Sequence, residues 1–148
     1  MTILYVWRCR NVYEPAEDSF LLQDTLYTVT HPGGTAIDMC TGSGIIAETL
    51  TEWYTTVIAV DIEEDAVTHV SDTLPAVDAV RSDIFLDVPP VKAWTITCNP
   101  PYLPVEGETV HRDLESQDKG TAFSKEFLFQ AKDYLHARGT IYLVTSSL

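Results

Sequence analysis

Four consecutive residues, Asn99-Pro100-Pro101-Tyr102, combine groups that can hold and aim a planar NH2 group. The Asn99 side-chain oxygen and the Pro100 backbone carbonyl are two acceptors on neighbouring residues. An NH2 group conjugated to a carbonyl or a ring is a poor nucleophile, because its lone pair is delocalised. Two acceptors that take its hydrogens would direct the nitrogen and stabilise the charge that develops on it. Pro101 stiffens the turn, and Tyr102 offers a flat wall for stacking. Upstream, the acids Asp38, Asp61 and Asp83 each sit at or just beyond the end of a short apolar run. Carboxylates in such a series suit a ligand that carries positive charge and hydroxyl groups.

The elements that must position these residues alternate in type. Apolar runs at 35–39, 56–60, 76–80, 93–98 and 140–144 read as buried strands. Between them lie helical patterns. Pro15 and the acids after it suit the opening of a helix, with Phe20, Leu21 and Leu26 as its apolar side. Ile45, Ile46 and Leu50 follow a glycine-rich turn, and residues 63–70 form a helix opened by acids. Ser124 caps a last helix whose apolar positions include Phe127, Leu128, Ala131 and Leu135, stopped by Gly139. Residues 2–7 alternate weakly, as an edge strand or a lid would, and a polar loop runs from about residue 103 to about residue 120. Strands alternating with helices imply an α/β fold: a Rossmann-like, mostly parallel sheet with right-handed crossovers. The expectation is one domain over residues 1–148, with an N-terminal motif and helix at 1–30 and the core at 31–148.

The turn Cys40-Thr41-Gly42-Ser43-Gly44 after the first strand lets the backbone approach a ligand. With Asp61 about twenty residues on, it fits the loose dinucleotide fingerprint. Two details count against NAD. Several residues separate the strand end from Gly42, and Asp38 at that end would repel a pyrophosphate while welcoming an ammonium. S-adenosylmethionine has such an ammonium. It also has a carboxylate for backbone N–H groups, ribose hydroxyls for Asp61, and an adenine amino group for Asp83. With that donor, the tetrapeptide would present an NH2 group for in-line methyl transfer, a reaction in which positioning is the main task.

Composition narrows the classes. A formal net charge of −13 disfavours a surface for phosphate backbones, and Arg8 and Arg10 are the only close cation pair. The acid excess fits either a high-salt cytoplasm or an ordinary acidic soluble protein. No apolar run is long enough to span a bilayer and no signal peptide is evident, so the expected compartment is the cytoplasm. Cys9, Cys40 and Cys98 form no Cys-x-x-Cys pair, and His31, His69, His111 and His136 lack metal-ligand spacing, so no metal is expected.

The tetrapeptide resembles the signature of amino-methyltransferases of the class I S-adenosylmethionine fold. Tyr13-Glu14-Pro15-Ala16-Glu17-Asp18-Ser19 with Phe20-Leu21-Leu22 resembles the N-terminal motif of HemK/PrmC-related glutamine methyltransferases, in their archaeal and eukaryotic branch. That branch methylates the glutamine of the Gly-Gly-Gln motif in translation termination factors. The resemblance implies that Tyr13, Pro15, Glu17 and Ser19 close over the cofactor, with Glu17 to Ser19 near its methionine end. It places Asp38, Cys40, Gly42 and Gly44 in the cofactor loop, Asp61 with Ile62 at the ribose, and Asp83 with Ile84 at the adenine. Asn99 would hold the substrate amide, flanked by Pro100, Pro101 and Tyr102. It further implies a small zinc-binding activator subunit as partner.

Two features depart from the family pattern. Glu115-Ser116-Gln117-Asp118-Lys119-Gly120 stands where a glycine-rich segment is usual, in a loop that shapes substrate choice. The family's C-terminal helix and strand hairpin are missing, which would leave the fifth strand as an edge that a second copy could cover. Three rival readings remain: an adenine-N6 methyltransferase acting on DNA or RNA, a non-catalytic cofactor-binding subunit, and a nicotinamide-binding domain.

Overall fold

The computed structural model describes residues 14–100 and 121–145. Tyr13, Pro101, Tyr102, the stretch 2–7 and the loop 103–120 lie outside the described residues. Five strands, β1 (Thr35–Met39), β2 (Thr56–Asp61), β3 (Asp78–Arg81), β4 (Ala93–Cys98) and β5 (Leu135–Leu143), form one parallel sheet in the order β3-β2-β1-β4-β5. The helices are α1 (Glu17–Thr28), α2 (Ile45–Leu50), α3 (Glu64–Thr73) and α4 (Thr121–Ala131).

Both sheet faces are covered, which is why the central strands are apolar almost throughout. The side-chain period of two sorts them. Ile37, Met39, Ile58, Val60, Ile96 and Cys98 face α4 and pack with Phe85, Phe127 and Ala131. Ala36, Val57 and Ala59 face the other layer, against Leu22 and Leu26 of α1, Leu50 of α2 and Val70 of α3. By the same alternation, Asp38 and Thr97 share the α1/α2 face, and the hydrogen bond between them fixes that placement.

A polar network pins this layer at the opposite rim. His31 Nε2 donates to the Leu26 carbonyl at 2.7 Å, and its Nδ1 is hydrogen-bonded to Tyr54 Oη at 2.9 Å. The Thr95 hydroxyl completes the chain on Tyr54. His31 also stacks on Trp53, with ring centroids 4.0 Å apart.

Three expectations are corrected. On α1 the buried face is Ser19, Leu22 and Leu26, while Phe20 and Leu21 are 47% and 61% exposed. Spacing decides it, because residues three and four apart share a helix face and Phe20 and Leu21 lie off that line. At the C-terminal end, α4 begins at Thr121, so Ser124 is inside the first turn rather than at the cap. Leu135 and Gly139 belong to β5, not to a helix and its stop. A turn closes α4, with Tyr134 N–H donating to the Ala131 carbonyl, and Ala93 N–H then donates to the Tyr134 carbonyl. β5 carries a bulge: Ala93 pairs with Leu135 and Thr95 with Thr140. Gly139 sits inside that bulge, where a Cβ would lie 2.6 Å from Leu135 Cδ1 and 3.0 Å from the Ala93 carbonyl oxygen. Finally, β3 starts at Asp78, later than residue 76.

Candidate functional site

The order in which strands are added to the parallel sheet reverses between β1 and β4, and ligands of open α/β folds occupy the crevice beyond the strand ends at such a point. Asp38 and Thr97 are register partners on these two strands. Thr97 Oγ1 donates to Asp38 Oδ1 at 2.7 Å. Asp38 is 2% exposed, and its Oδ2 is buried without a hydrogen-bond partner among the described residues. Burial pushes this carboxyl up from an ordinary 3.8 to about 6. The Thr97 and Thr41 hydroxyls and the Ala47 N–H oppose the rise, and the Asp61 charge adds to it. Thr41 Oγ1, like Asp38 Oδ2, is buried without a hydrogen-bond partner among the described residues.

The loop after β1 is folded on itself. Cys40, Gly42 and Gly44 all have left-handed backbone, at φ 59, 53 and 85. At Gly44 the requirement for glycine is double, because a Cβ would also lie 2.9 Å from Leu74 Cδ1 and 3.0 Å from Val70 Cγ2. Gly42 N–H donates to Asp61 Oδ2 at 2.9 Å, and Glu63 N–H donates to Asp61 Oδ1 at 3.0 Å. Gly44 N–H donates to the Thr41 carbonyl at 2.9 Å. Asp61 therefore braces the glycine loop against β2. A carboxylate has about four lone-pair sites, so it keeps capacity for a ligand. Both glycine N–H groups are spent inside the protein, which leaves an anion to other groups.

Beyond β3, Ser82 is buried, Asp83 is exposed and Ile84 is buried with left-handed backbone at φ 52. Ser82 Oγ accepts from Asp87 N–H at 2.9 Å and shapes this turn. Asp38, Asp61 and Asp83 thus lie at or just past the tips of three adjacent strands. Ile62, beside Asp61, is 43% exposed.

Asn99 follows β4 directly. Its Nδ2 donates to Ser19 Oγ at 3.5 Å, and its Oδ1 is buried and unpaired. The N-terminal motif and the tetrapeptide therefore meet. Pro100 is buried beside Asn99, whereas Pro15 and Glu17 are exposed. Cys98 and Cys40 are free thiols, and burial with Cys40 alongside pushes the Cys98 thiol well up. Sequence reasoning missed Thr97 and Thr41. Two threonines, Thr95 and Thr97, stand in the apolar strand β4 with no mark of function, and only the register opposite Asp38 singles out Thr97.

Two buried acceptors without donors, Asp38 Oδ2 and Asn99 Oδ1, stand on neighbouring strand ends. Such groups are costly unless a ligand supplies hydrogens. A cation with an ammonium at one end and an NH2-bearing substrate beside it would satisfy both, so the donor set fits S-adenosylmethionine.

The profile of the methyltransferase small domain family matches residues 16–148, and the chain belongs to that family. Its cofactor is S-adenosyl-L-methionine. Within the family it goes with the HemK-like members. It is 30% identical over 147 residues to a Methanocaldococcus jannaschii protein named "putative protein N5-glutamine methyltransferase", covering 93% of this chain and 73% of that one. Solved structures agree on the Rossmann-like fold. A ribosomal protein L11 methylase from Lactobacillus delbrueckii superposes with a TM-score of 0.65 at 17% identity, over 89% of this chain and 61% of its own. A precorrin 8w decarboxylase from Methanobacterium thermoautotrophicum gives 0.66 at 17% identity, over 96% and 70%. At such identities the likeness speaks for the fold alone. No helix among the described residues is long and apolar enough to cross a membrane.

Proposed function

We propose that the chain is a protein-glutamine N-methyltransferase that methylates the side-chain amide, at N5, of a translation termination factor. The observation that carries this reading is the buried, unpaired Asn99 Oδ1 at the end of β4. A conjugated NH2 group brings the hydrogen that this oxygen lacks. The Pro100 carbonyl takes the second hydrogen, Pro101 stiffens the turn, and Tyr102 stacks on the amide plane. With both hydrogens held, the nitrogen is aimed and the positive charge that grows on it is stabilised. S-adenosylmethionine, when bound, supplies an electrophilic methyl carbon. In this reading Asp38 takes the ammonium, Asp61 with Ile62 the ribose, and Asp83 with Ile84 the adenine. Cys40, Gly42 and Gly44 line the loop, and Tyr13, Pro15, Glu17 and Ser19 close over it. The M. jannaschii relative's name supports the substrate class.

The test is incubation with labelled S-adenosylmethionine and a recombinant termination factor, followed by mass spectrometry of the Gly-Gly-Gln peptide. Methylglutamine is the expected product. Label in RNA rather than in the factor would favour the adenine reading instead. Cofactor binding with no transfer to either would point to a non-catalytic subunit. We also propose a partner, a small zinc-binding activator or a second copy along β5. A chain that sediments as a monomer and is fully active alone would remove the need for either.

A further inference from the structure

We propose that Tyr134 and Gln130 are positioning residues for the cofactor: they lock the strained turn after β3, so that Asp83 stands where the adenine amino group arrives. This role rests on the placing of the adenine at Asp83 and Ile84 given above.

Ile84 carries the strain. Its φ of 52 is left-handed, a region that a β-branched residue enters only when its surroundings force it. Its side chain is buried in the core layer shared with α4, while Asp83 beside it is exposed. The twist therefore sends one side chain inward and leaves the other in solvent at the strand tip. Relaxed to ordinary backbone, the pair would swing, and the carboxylate would leave its place.

Anchors stand on both sides of Ile84. Before it, Ser82 N–H donates to the Asp61 carbonyl at 2.9 Å, and Ser82 Oγ accepts from Asp87 N–H at 2.9 Å. After it, both backbone groups of Phe85 are held from the end of α4 and the turn that follows. The Phe85 N–H donates to Gln130 Oε1 at 3.3 Å. The Phe85 carbonyl accepts from Tyr134 Oη at 3.2 Å, and the same hydroxyl lies 3.3 Å from the Val88 carbonyl. The Tyr134 ring stacks on Phe85, with centroids 4.5 Å apart. Stacking fixes where the Phe85 ring lies but not the tilt of its peptide planes. Directional bonds to the N–H and the carbonyl fix that tilt, and the tilt aims Asp83.

The two clamps are themselves secured. Gln130 Nε2 donates to Glu126 Oε1 at 2.6 Å. Tyr134 N–H donates to the Ala131 carbonyl at 2.9 Å, and the Tyr134 carbonyl accepts from Ala93 N–H at 2.7 Å. Side chains 45 and 49 residues further along the sequence thus set the torsions at Ile84.

The readout is discrimination rather than affinity alone. Calorimetry compares S-adenosylhomocysteine with an analogue that carries hydrogen in place of the adenine amino group. The unmodified chain should prefer the amino form about tenfold or more, the scale of a hydrogen bond to a charged group. Asp83→Ala should abolish that preference. Tyr134→Phe keeps the stacked ring and removes only the hydroxyl. It should cut the preference about fivefold, while the analogue binds within about twofold of its usual affinity. Gln130→Met should act in the same direction and serves if Tyr134→Phe does not fold. Gln130→Glu, which keeps an acceptor for the Phe85 N–H, should restore the preference. On an Asp83→Ala background, Tyr134→Phe should leave the preference unchanged. A purely structural role would weaken both ligands together, and that result overturns the proposal. So does a preference that survives intact in Tyr134→Phe and Gln130→Met. No preference in the unmodified chain would instead sink the placing of the adenine at Asp83, and the role of both clamps with it.

Discussion

Replacing Asp38 by asparagine should make the cofactor-free protein more stable at neutral pH and much worse at holding its cofactor. Asp38 is wholly buried and its carboxyl is lifted from 3.8 to about 6. A group whose folded value is raised favours the fold in its protonated form. That stability is fully present below about pH 4 and is lost as pH climbs through about 6. Each tenfold in protonation is worth about 1.4 kcal/mol, so the ionised group costs the empty fold about 3 kcal/mol at pH 7.5. The amide introduced by Asp38→Asn cannot ionise and can still accept the Thr97 hydrogen through its oxygen. The variant's advantage should approach about 3 kcal/mol at pH 7.5, or about 6–12 °C in Tm for a chain of this size, and vanish towards pH 4. Cofactor affinity should move the other way. An ammonium favours the ionised carboxylate, so wild-type affinity should rise about tenfold per pH unit below 6 and level off above it. The variant should bind weakly with a flat profile. Urea unfolding across pH 4–8 at constant ionic strength, paired with calorimetry of S-adenosylmethionine, reads both. A variant less stable than wild type at pH 7.5, or one that binds with unchanged affinity and pH dependence, would refute the reasoning.

Other perturbations test other parts of the site. Asn99→Ala should cut transfer by about a hundredfold or more, the usual scale for losing one preorganised transition-state contact, with cofactor affinity by calorimetry nearly intact. Thr97→Val deletes the donor to Asp38 Oδ1, so the pH at which the apo fold loses stability should move upward, as seen by urea unfolding. Gly44→Ala puts a Cβ on left-handed backbone against Leu74 and Val70 and should cost about 1–3 kcal/mol, measured by the same unfolding.

The central strands that position the site were legible because burial on both faces makes them apolar almost throughout. Three acids at neighbouring tips then stood out against those runs. The C-terminal third was less legible. After Ala131 the apolar residues keep helical spacing as far as Leu135, so a pattern alone extends the helix, while the turn at residues 132–134 carries no proline or glycine to mark it. On α1 three consecutive apolar residues, Phe20, Leu21 and Leu22, could not reveal which one faces inward. The pairing of Asp38 with Thr97, and of Ser19 with Asn99, joins residues 59 and 80 apart. No local rule reaches that far; strand order had to be known first.

That strand order also bears on how the protein is made. β1 lies between β2 and β4, yet β2 and β3 are both synthesised before β4. Until residue 98 has left the ribosome, one edge of β1 stays unpaired and Asp38 lacks Thr97. A nascent chain stalled in that interval would present an open, apolar strand to its neighbours, the kind of edge that recruits foreign strands. Slow translation just ahead of β4 should therefore lower soluble yield more than slow translation after β5.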